Sequence, residues 1–176
     1  MDIIERALSD IVGGRVLDVA TQEGRFVQIL RENLQSYTEI VGIDISEQAI
    51  ETARGTFGQA NIQFWVMDAE QLDFEDESFD TVSISASFHH LSNIPQVLKE
   101  MERVLKPAGH FILVEMHRDG QTEAEFTSIY LHHWVAEVDS TLGRLHNSTL
   151  ARQELVNYVA GLGLNEVEVY DYTDCD

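Results

Sequence analysis

Arg15-Val16-Leu17-Asp18-Val19-Ala20-Thr21-Gln22-Glu23-Gly24-Arg25-Phe26 is the stretch whose reading decides the fold. A branched apolar run ends at an acid, a short turn follows, and Gly24 leads into Phe26, Ile29, Leu30 and Leu34 at helical spacing. Strand, tight turn and helix N-terminus in that order bring backbone N–H groups to the carboxyl edge of a sheet, where open α/β sheets bind nucleotides. Val41-Gly42-Ile43-Asp44 reads as a second strand that also ends in an acid. Asp44 follows Gly24 at about the ~20-residue spacing used to hold a ribose.

A dinucleotide site needs G-x-G-x-x-G at the turn, whereas this turn has one glycine and carries Glu23 where a pyrophosphate would sit. The pattern points instead to a ligand with a ribose and no phosphate, for which S-adenosylmethionine is the candidate. Its ammonium end suits the neighbourhood of Asp18 and the acidic turn.

Composition narrows the partners. The 176 residues carry 31 acids against 11 Lys and Arg, a formal charge of −20, so a phosphate backbone or an anionic membrane surface makes a poor partner. A solvated acidic surface accounts for most of that charge. Cys175 is the single cysteine, which excludes an intramolecular disulfide and a cysteine zinc site. The first residues lack the pattern of a secretory leader and no apolar run approaches ~18 residues, so a cytoplasmic protein is expected.

Around the two strand–acid signals the chain alternates. A short helix spans Asp2 to Ile11, and Gly13-Gly14 is read as its end, with the first strand over Val16 to Ala20. Helices follow from about Gly24 to Gln35 and, capped by Ser46, to about Phe57. Strands are expected at Ile40 to Asp44, Ile62 to Met67, Phe79 to Ser85, His110 to Met116 and Val167 to Tyr172. Between them, Ile94 to Leu105 is the most regular helical stripe, Lys106 to Gly109 a type I turn, and Gln121 to Val138 and Thr149 to Gly161 two further helices. This order predicts an α/β, doubly wound, mainly parallel Rossmann-like sheet with helices on both faces. A single domain is expected, with a donor-binding half over about 1–116 and an acceptor-side half over about 117–176.

With those residues in view, the chain resembles the class I S-adenosylmethionine-dependent methyltransferases, and within them the small-molecule branch of ubiquinone and menaquinone C-methyltransferases. The resemblance runs from about Arg15 to Glu115. It rests on Val16-Leu17-Asp18-Val19 before Gly24, Val41-Gly42-Ile43-Asp44-Ile45-Ser46, Met67-Asp68-Ala69-Glu70 with Ser78-Phe79-Asp80, and His89-His90 followed by Arg103-Val104-Leu105-Lys106-Pro107. It implies that Asp18 and the turn from Ala20 to Gly24 line the methionine portion of the donor, and that Asp44 accepts both ribose hydroxyls. It further implies that Ile45 packs on adenine, Asp68 accepts the adenine amino group with Ala69 supplying a backbone N–H, and Ser85 lies near the amino-acid end. Two departures stand out. Ala20 and Gln22 replace the first two glycines of the usual turn, which costs about 1–2 kcal/mol at any position that needs positive φ. The usual last antiparallel strand has no counterpart, so a shortened chain is expected, with a partner chain in that slot, as in a homodimer, as the alternative.

Methyl transfer asks the protein for alignment and a dry site, plus a base where the acceptor carries a proton. His89 and His90 are the candidate bases, and Tyr130, His133 and Trp134 the candidate acceptor contacts on the helix after the fifth strand. His117, His132 and His133 are the conceivable metal set. Neighbouring helical residues point ~100° apart and no carboxylate stands at a ligand spacing, so no metal is expected. The reading is methyl transfer from S-adenosylmethionine to a small-molecule acceptor. The rivals are a non-catalytic binding module of the same fold and a nicotinamide-dependent oxidoreductase.

Overall fold

The computed structural model describes residues 3–58, 60–120, 123–142 and 146–171. They fall into two compact units. One comprises the residues up to Ser85 together with Gln96–Val114, and the other Ala86–Pro95 with the residues from Glu115 onward.

The first unit is a five-stranded parallel sheet in the order β3-β2-β1-β4-β5. Its strands are β1 (Val12–Val19), β2 (Ser36–Asp44), β3 (Ile62–Val66), β4 (Phe79–Ser85) and β5 (Leu105–Val114). The helices α1 (Ile3–Ser9), α2 (Arg25–Asn33), α3 (Glu47–Thr56) and α4 (Ile94–Val104) alternate with them. The order runs outward from β1 to β3, then restarts at β4 on the other side of β1, so the carboxyl ends of β1 and β4 flank the point of reversal. Leu8, Phe26, Val27, Leu30, Ile50 and Ala53 from α1–α3 form one core cluster with Val16, Ile40, Ile62 and Phe64. The stripe Val97, Leu98, Met101 and Val104 of α4 is buried outside that cluster, as the helix following the reversal should be.

Local chemistry explains the element ends. The Ser46 hydroxyl accepts from the Ala49 N–H at 3.3 Å and caps α3, as its sequence position predicts. Gly24 begins α2 at φ 84°, and a Cβ there would stand 2.8 Å from Phe57 and 3.2 Å from Phe64, so the position admits only glycine. The acidic connection from Glu70 to Ser78 has no regular structure of its own. Arg103 holds it by donating to the Phe74 and Leu72 carbonyls at 2.8 and 2.9 Å, while Glu100 accepts the Leu72 N–H at 3.0 Å. The same guanidinium keeps the Glu100 carboxyl below its ordinary range.

Three expectations are corrected. Gly13-Gly14 does not precede the first strand but lies inside it, where the pairing with β2 shifts register. Gly14 takes φ 60°, and the Asp80 carboxylate occupies the space of its missing side chain while accepting the Arg15 N–H at 2.8 Å. Lys106 to Gly109 is not a type I turn, because Ala108 has φ 61° where that turn requires a negative value. These residues bulge within β5, whose partners jump from Leu105 to His110 while those on β4 advance only from Phe79 to Thr81. The sixth strand is absent over 167–171, and Tyr172 lies outside the described residues. Alternation alone does not make a strand. Val167, Val169 and Tyr170 are about half exposed, and the segment is held by side chains, with Arg152 donating to both Asp171 oxygens at 2.7 and 2.9 Å.

The second unit contains a 3-10 turn (Phe88–His90), α5 (Glu123–Thr141) and α6 (Arg152–Ala160). Arg118 ties it together by donating to the Thr149 carbonyl at 2.7 Å and to Glu154 at 2.9 Å. No helix among the described residues is long and apolar enough to cross a membrane.

Gly14→Ala should combine a left-handed alanine with a displaced Asp80, which also receives Lys106 Nζ at 2.7 Å. A loss of about 2–4 kcal/mol in denaturant unfolding is expected. A change below ~0.5 kcal/mol would contradict the crowding described.

Candidate functional site

At the carboxyl edge of the first unit the chain leaves β1 through a turn in which glycine-like backbone is unavoidable. Ala20 and Gln22 take φ 53° and 51°. Both non-glycine positions therefore carry the left-handed conformation, with its cost of about 1–2 kcal/mol each. The turn is pinned by the Thr21 N–H to the Ile43 carbonyl at 2.8 Å and by the Gly24 N–H to the Thr21 carbonyl at 2.9 Å.

Beneath this turn lies Asp18, only 1% exposed. Its two oxygens accept the Thr21 hydroxyl at 2.6 Å and the Ser83 hydroxyl at 2.8 Å. Burial raises its pKa to about 6, the two hydroxyl donors oppose that rise, and the charge of Asp44 adds to it. Thr21 and Ser83 are thus parts of the site that pattern reading missed. Thr21, three residues after the acid, was the one available signal, while Ser83 needs the pairing of β1 with β4 to be seen.

Asp44 sits half-buried at the end of β2. Its Oδ2 accepts the Gln22 N–H and its Oδ1 the Ser46 N–H, both at 2.9 Å. Each oxygen retains a second lone pair. Ile45, next in the chain, is 73% exposed, an unusual position for an isoleucine at the end of a buried strand. Val66 pairs with Asp44 in register and is also exposed. Asp68 is exposed and accepts the Glu70 N–H at 2.9 Å, Ala69 is half-buried, and Ser85 closes β4 half-buried. The structure thus brings Asp18, Ala20, Gly24, Asp44, Ile45, Asp68, Ala69 and Ser85 to the carboxyl ends of adjacent strands of one unit.

The remaining candidates belong to the second unit. His89 is buried and His90 exposed on the 3-10 turn. His89 Nδ1 lies 3.3 Å from Glu115 Oε1, out of line for a hydrogen bond. On α5, His133 Nε2 lies 3.0 Å from the Thr149 hydroxyl, while Tyr130 and Trp134 are more than half exposed. The His132 ring packs against His89 and His146, with the His133 ring 6.1 Å away, and burial and the neighbouring imidazoles push its pKa down to about 4.

The methyltransferase domain family matches residues 17–113, a little over half of the chain and the whole of the sheet edge just described. The chain belongs to that family. It is 28% identical over 178 aligned positions to the ubiquinone/menaquinone biosynthesis C-methyltransferase UbiE of Geotalea uraniireducens, an alignment covering 92% of this chain and 74% of the relative. It is 42% identical over 103 residues to the demethylmenaquinone methyltransferase of Deinococcus radiodurans, covering 57% of this chain and 42% of that one. It therefore spans less than half the length of that second relative. The crystal structure of an S-adenosylmethionine-dependent methyltransferase from Mesorhizobium loti superposes with a TM-score of 0.65 at 22% identity, over 90% of this chain and 78% of that one, a likeness of fold. The five parallel strands in their order are the Rossmann-like core of a class I methyltransferase.

Asp18 has a folded pKa of about 6 against an ordinary value of 3.8, so the native state holds this proton more tightly than the unfolded chain. Stability from this group is then full below pH 3.8 and is lost as pH rises through about 6. Roughly 2–3 kcal/mol is at stake. Asp18→Asn should flatten that part of the stability–pH curve in denaturant titrations, and an unchanged slope would contradict the assigned burial.

Proposed function

We propose that this chain transfers the methyl group of S-adenosylmethionine to a small-molecule acceptor. The observation that carries the reading is the pairing of Asp44 with Ile45. The carboxylate is held rigidly by two backbone N–H groups yet keeps a lone pair on each oxygen, and beside it stands an isoleucine with 73% of its surface in water. A ribose diol and an adenine face are the chemistry that such a pair accommodates. The residues present therefore fit the donor.

In this reading Asp44 accepts the ribose hydroxyls and Ile45 covers the adenine ring. Asp68 accepts the exocyclic amine, the Ala69 N–H donates to the ring, and the turn from Ala20 to Gly24 with Asp18 and Ser85 lines the amino-acid portion. Two carboxylates at one edge, close enough for Asp44 to raise the pKa of Asp18, favour a ligand that brings a positive charge. Bound S-adenosylmethionine supplies the activated methyl carbon. The protein then contributes alignment, exclusion of water and, for a protonated acceptor, a base. Of the two histidines on the 3-10 turn, His90 is the exposed one and the better suited to take a proton from a molecule arriving from solvent. Tyr130, His133 and Trp134 are the acceptor contacts of this proposal. The names of the relatives point to quinone rings as acceptors of those enzymes. The family match ends at residue 113, before α5, so the acceptor class is carried here only as far as a small molecule.

Calorimetric titration with S-adenosylhomocysteine tests the donor site. A dissociation constant in the micromolar range is expected, and no binding up to millimolar would overturn the reading. Asp44→Ala should weaken binding at least ~10-fold, though it also removes the partners of Gln22 and Ser46. Ile45→Ser separates binding from folding. The exposed side chain contributes little to stability, so the unfolding midpoint should stay unchanged while affinity falls about 10-fold.

A further inference from the structure

Four imidazoles converge in the second unit from three separate stretches of chain. The ring centroids of His89 and His132 are 4.5 Å apart, those of His132 and His146 4.7 Å, and those of His90 and His146 4.3 Å. One ring nitrogen from each of His89, His132 and His146 can be chosen so that all three lie within 4.8 Å of one another. The tightest pair, Nε2 of His132 and Nε2 of His146, is 3.2 Å apart. Two nitrogens bonded to one tetrahedral zinc ion at ~2.0–2.1 Å are about 3.3–3.4 Å apart, so this edge already has the required length.

The surroundings match as well. His146 Nδ1 lies 2.8 Å from Asp139 Oδ2, the carboxylate–histidine pairing that fixes the tautomer and leaves Nε2 as the ligating atom. Asp139 stands seven residues after His132 on α5, so one helix face supplies a ligand and the group that orients another. The Asn147 N–H donates to the His89 carbonyl at 2.8 Å, which fixes the backbone next to His146 against the 3-10 turn. His89 Nδ1 is buried without a hydrogen bond beside Glu115, whose side chain is 2% exposed. Among the described residues that carboxylate has no Lys or Arg partner.

A hydrogen bond between two neutral histidines would account for the 3.2 Å contact alone. It leaves the buried His89 nitrogen unsatisfied beside Glu115, whose oxygens accept, among the described residues, only the Phe88 and Met116 N–H groups, at 2.7 and 2.8 Å. A metal ion answers this. It takes the lone pairs of the imidazoles, brings positive charge near the buried Glu115 carboxylate and, bound at the other nitrogen of His89, leaves Nδ1 as the protonated nitrogen facing Glu115.

We propose that His89, His132 and His146 form a binding site for a divalent transition-metal ion of the zinc class. Imidazole nitrogens select such ions over calcium and magnesium, which require oxygen ligands. Three protein ligands leave a fourth position for water or an anionic oxygen or sulfur, the arrangement of exchangeable rather than purely structural sites. His89 also lines a cavity of about 290 Å³ with Asn93, Pro95, Ser148 and Tyr158, which gives room beside the cluster for such a ligand. All of its residues belong to the second unit.

The test uses the full chain without a histidine tag. Cobalt(II) added to metal-stripped protein should develop the intense visible absorption of a tetrahedral or five-coordinate site, displaced by one equivalent of zinc. His132→Gln and His146→Gln should each weaken zinc binding at least ~100-fold, and Asp139→Asn about 10–100-fold. His117→Ala should change nothing, because His117 lies against Asp119 and Asp171 instead. Circular dichroism of the metal-free variants checks folding. If either glutamine variant fails to fold, the cobalt spectrum of the unaltered chain and the Asp139→Asn affinity decide. A cobalt spectrum that stays weak and octahedral overturns the proposal, as does zinc affinity unmoved by the folded variants.

Discussion

The buried carboxyl of Asp18 is the constraint on which the first unit depends. A carboxylate at 1% exposure cannot stay ionised without donors, and two hydroxyls supply them. One comes from the turn and the other from the neighbouring strand, so the same group joins β1 to β4 at the reversal of strand order and draws the turn back over the end of β1. Thr21 can reach Asp18 only if the chain doubles back, and the left-handed Ala20 and Gln22 are how it does so. That conformation also turns the Gln22 N–H toward Asp44, linking the first acid to the second through four residues of backbone. Hydrogen bonds to charged acceptors contribute about 1.5–3 kcal/mol each, enough to offset the strain at both positions.

The parts of this arrangement that were legible in the sequence are those governed by near neighbours. β4 spans Phe79–Ser85 as expected, Ser46 caps α3, and the apolar stripe of α4 is buried as its spacing required. The acids near the ends of β1 and β2 marked the edge because an acid after an apolar run has to find donors, and the turn that follows the strand supplies them, through Thr21 for Asp18 and through the Gln22 N–H for Asp44. What pattern reading missed depended on distant partners. Gly13-Gly14 looks like a helix stop until Asp80 is seen packed where the side chain of Gly14 would be. The segment 167–171 alternates like a strand, but a strand exists only if another lies alongside to take its hydrogen bonds. The connection from Glu70 to Ser78 appears shapeless because its order comes from Arg103 and Glu100, nearly 30 residues away.

The histidine cluster shows the same limit more sharply. Its three proposed ligands sit at 89, 132 and 146, in a 3-10 turn, a helix and an irregular segment, with no spacing that resembles a local metal motif. The expectation of no metal rested on His117, His132 and His133. In the structure those side chains take different polar partners. His133 goes to Thr149 and His117 to Asp119 and Asp171, leaving only His132 with His89 and His146. The seven-residue interval from His132 to Asp139 was visible all along, but it acquires meaning only when His146 stands between them.

The replaced glycines separate two questions that a motif merges. A glycine-rich turn permits positive φ and also lets a ligand approach bare backbone. Here the backbone takes the glycine-like path at Ala20 and Gln22 regardless, because Thr21, Asp18 and Asp44 compel it. The path is preserved, and only the bare surface is altered, by a methyl group at Ala20 and an exposed side chain at Gln22. An intrinsic penalty of that kind acts on the folded chain whether or not a ligand is present, so it lowers stability without necessarily lowering affinity. Affinity is affected only where the added atoms stand in the ligand's way. In the proposed reading the departure from the family pattern thus bears chiefly on the shape of the donor's amino-acid subsite, and it leaves the Asp44 carboxylate and the exposed Ile45 side chain as they stand at the end of β2.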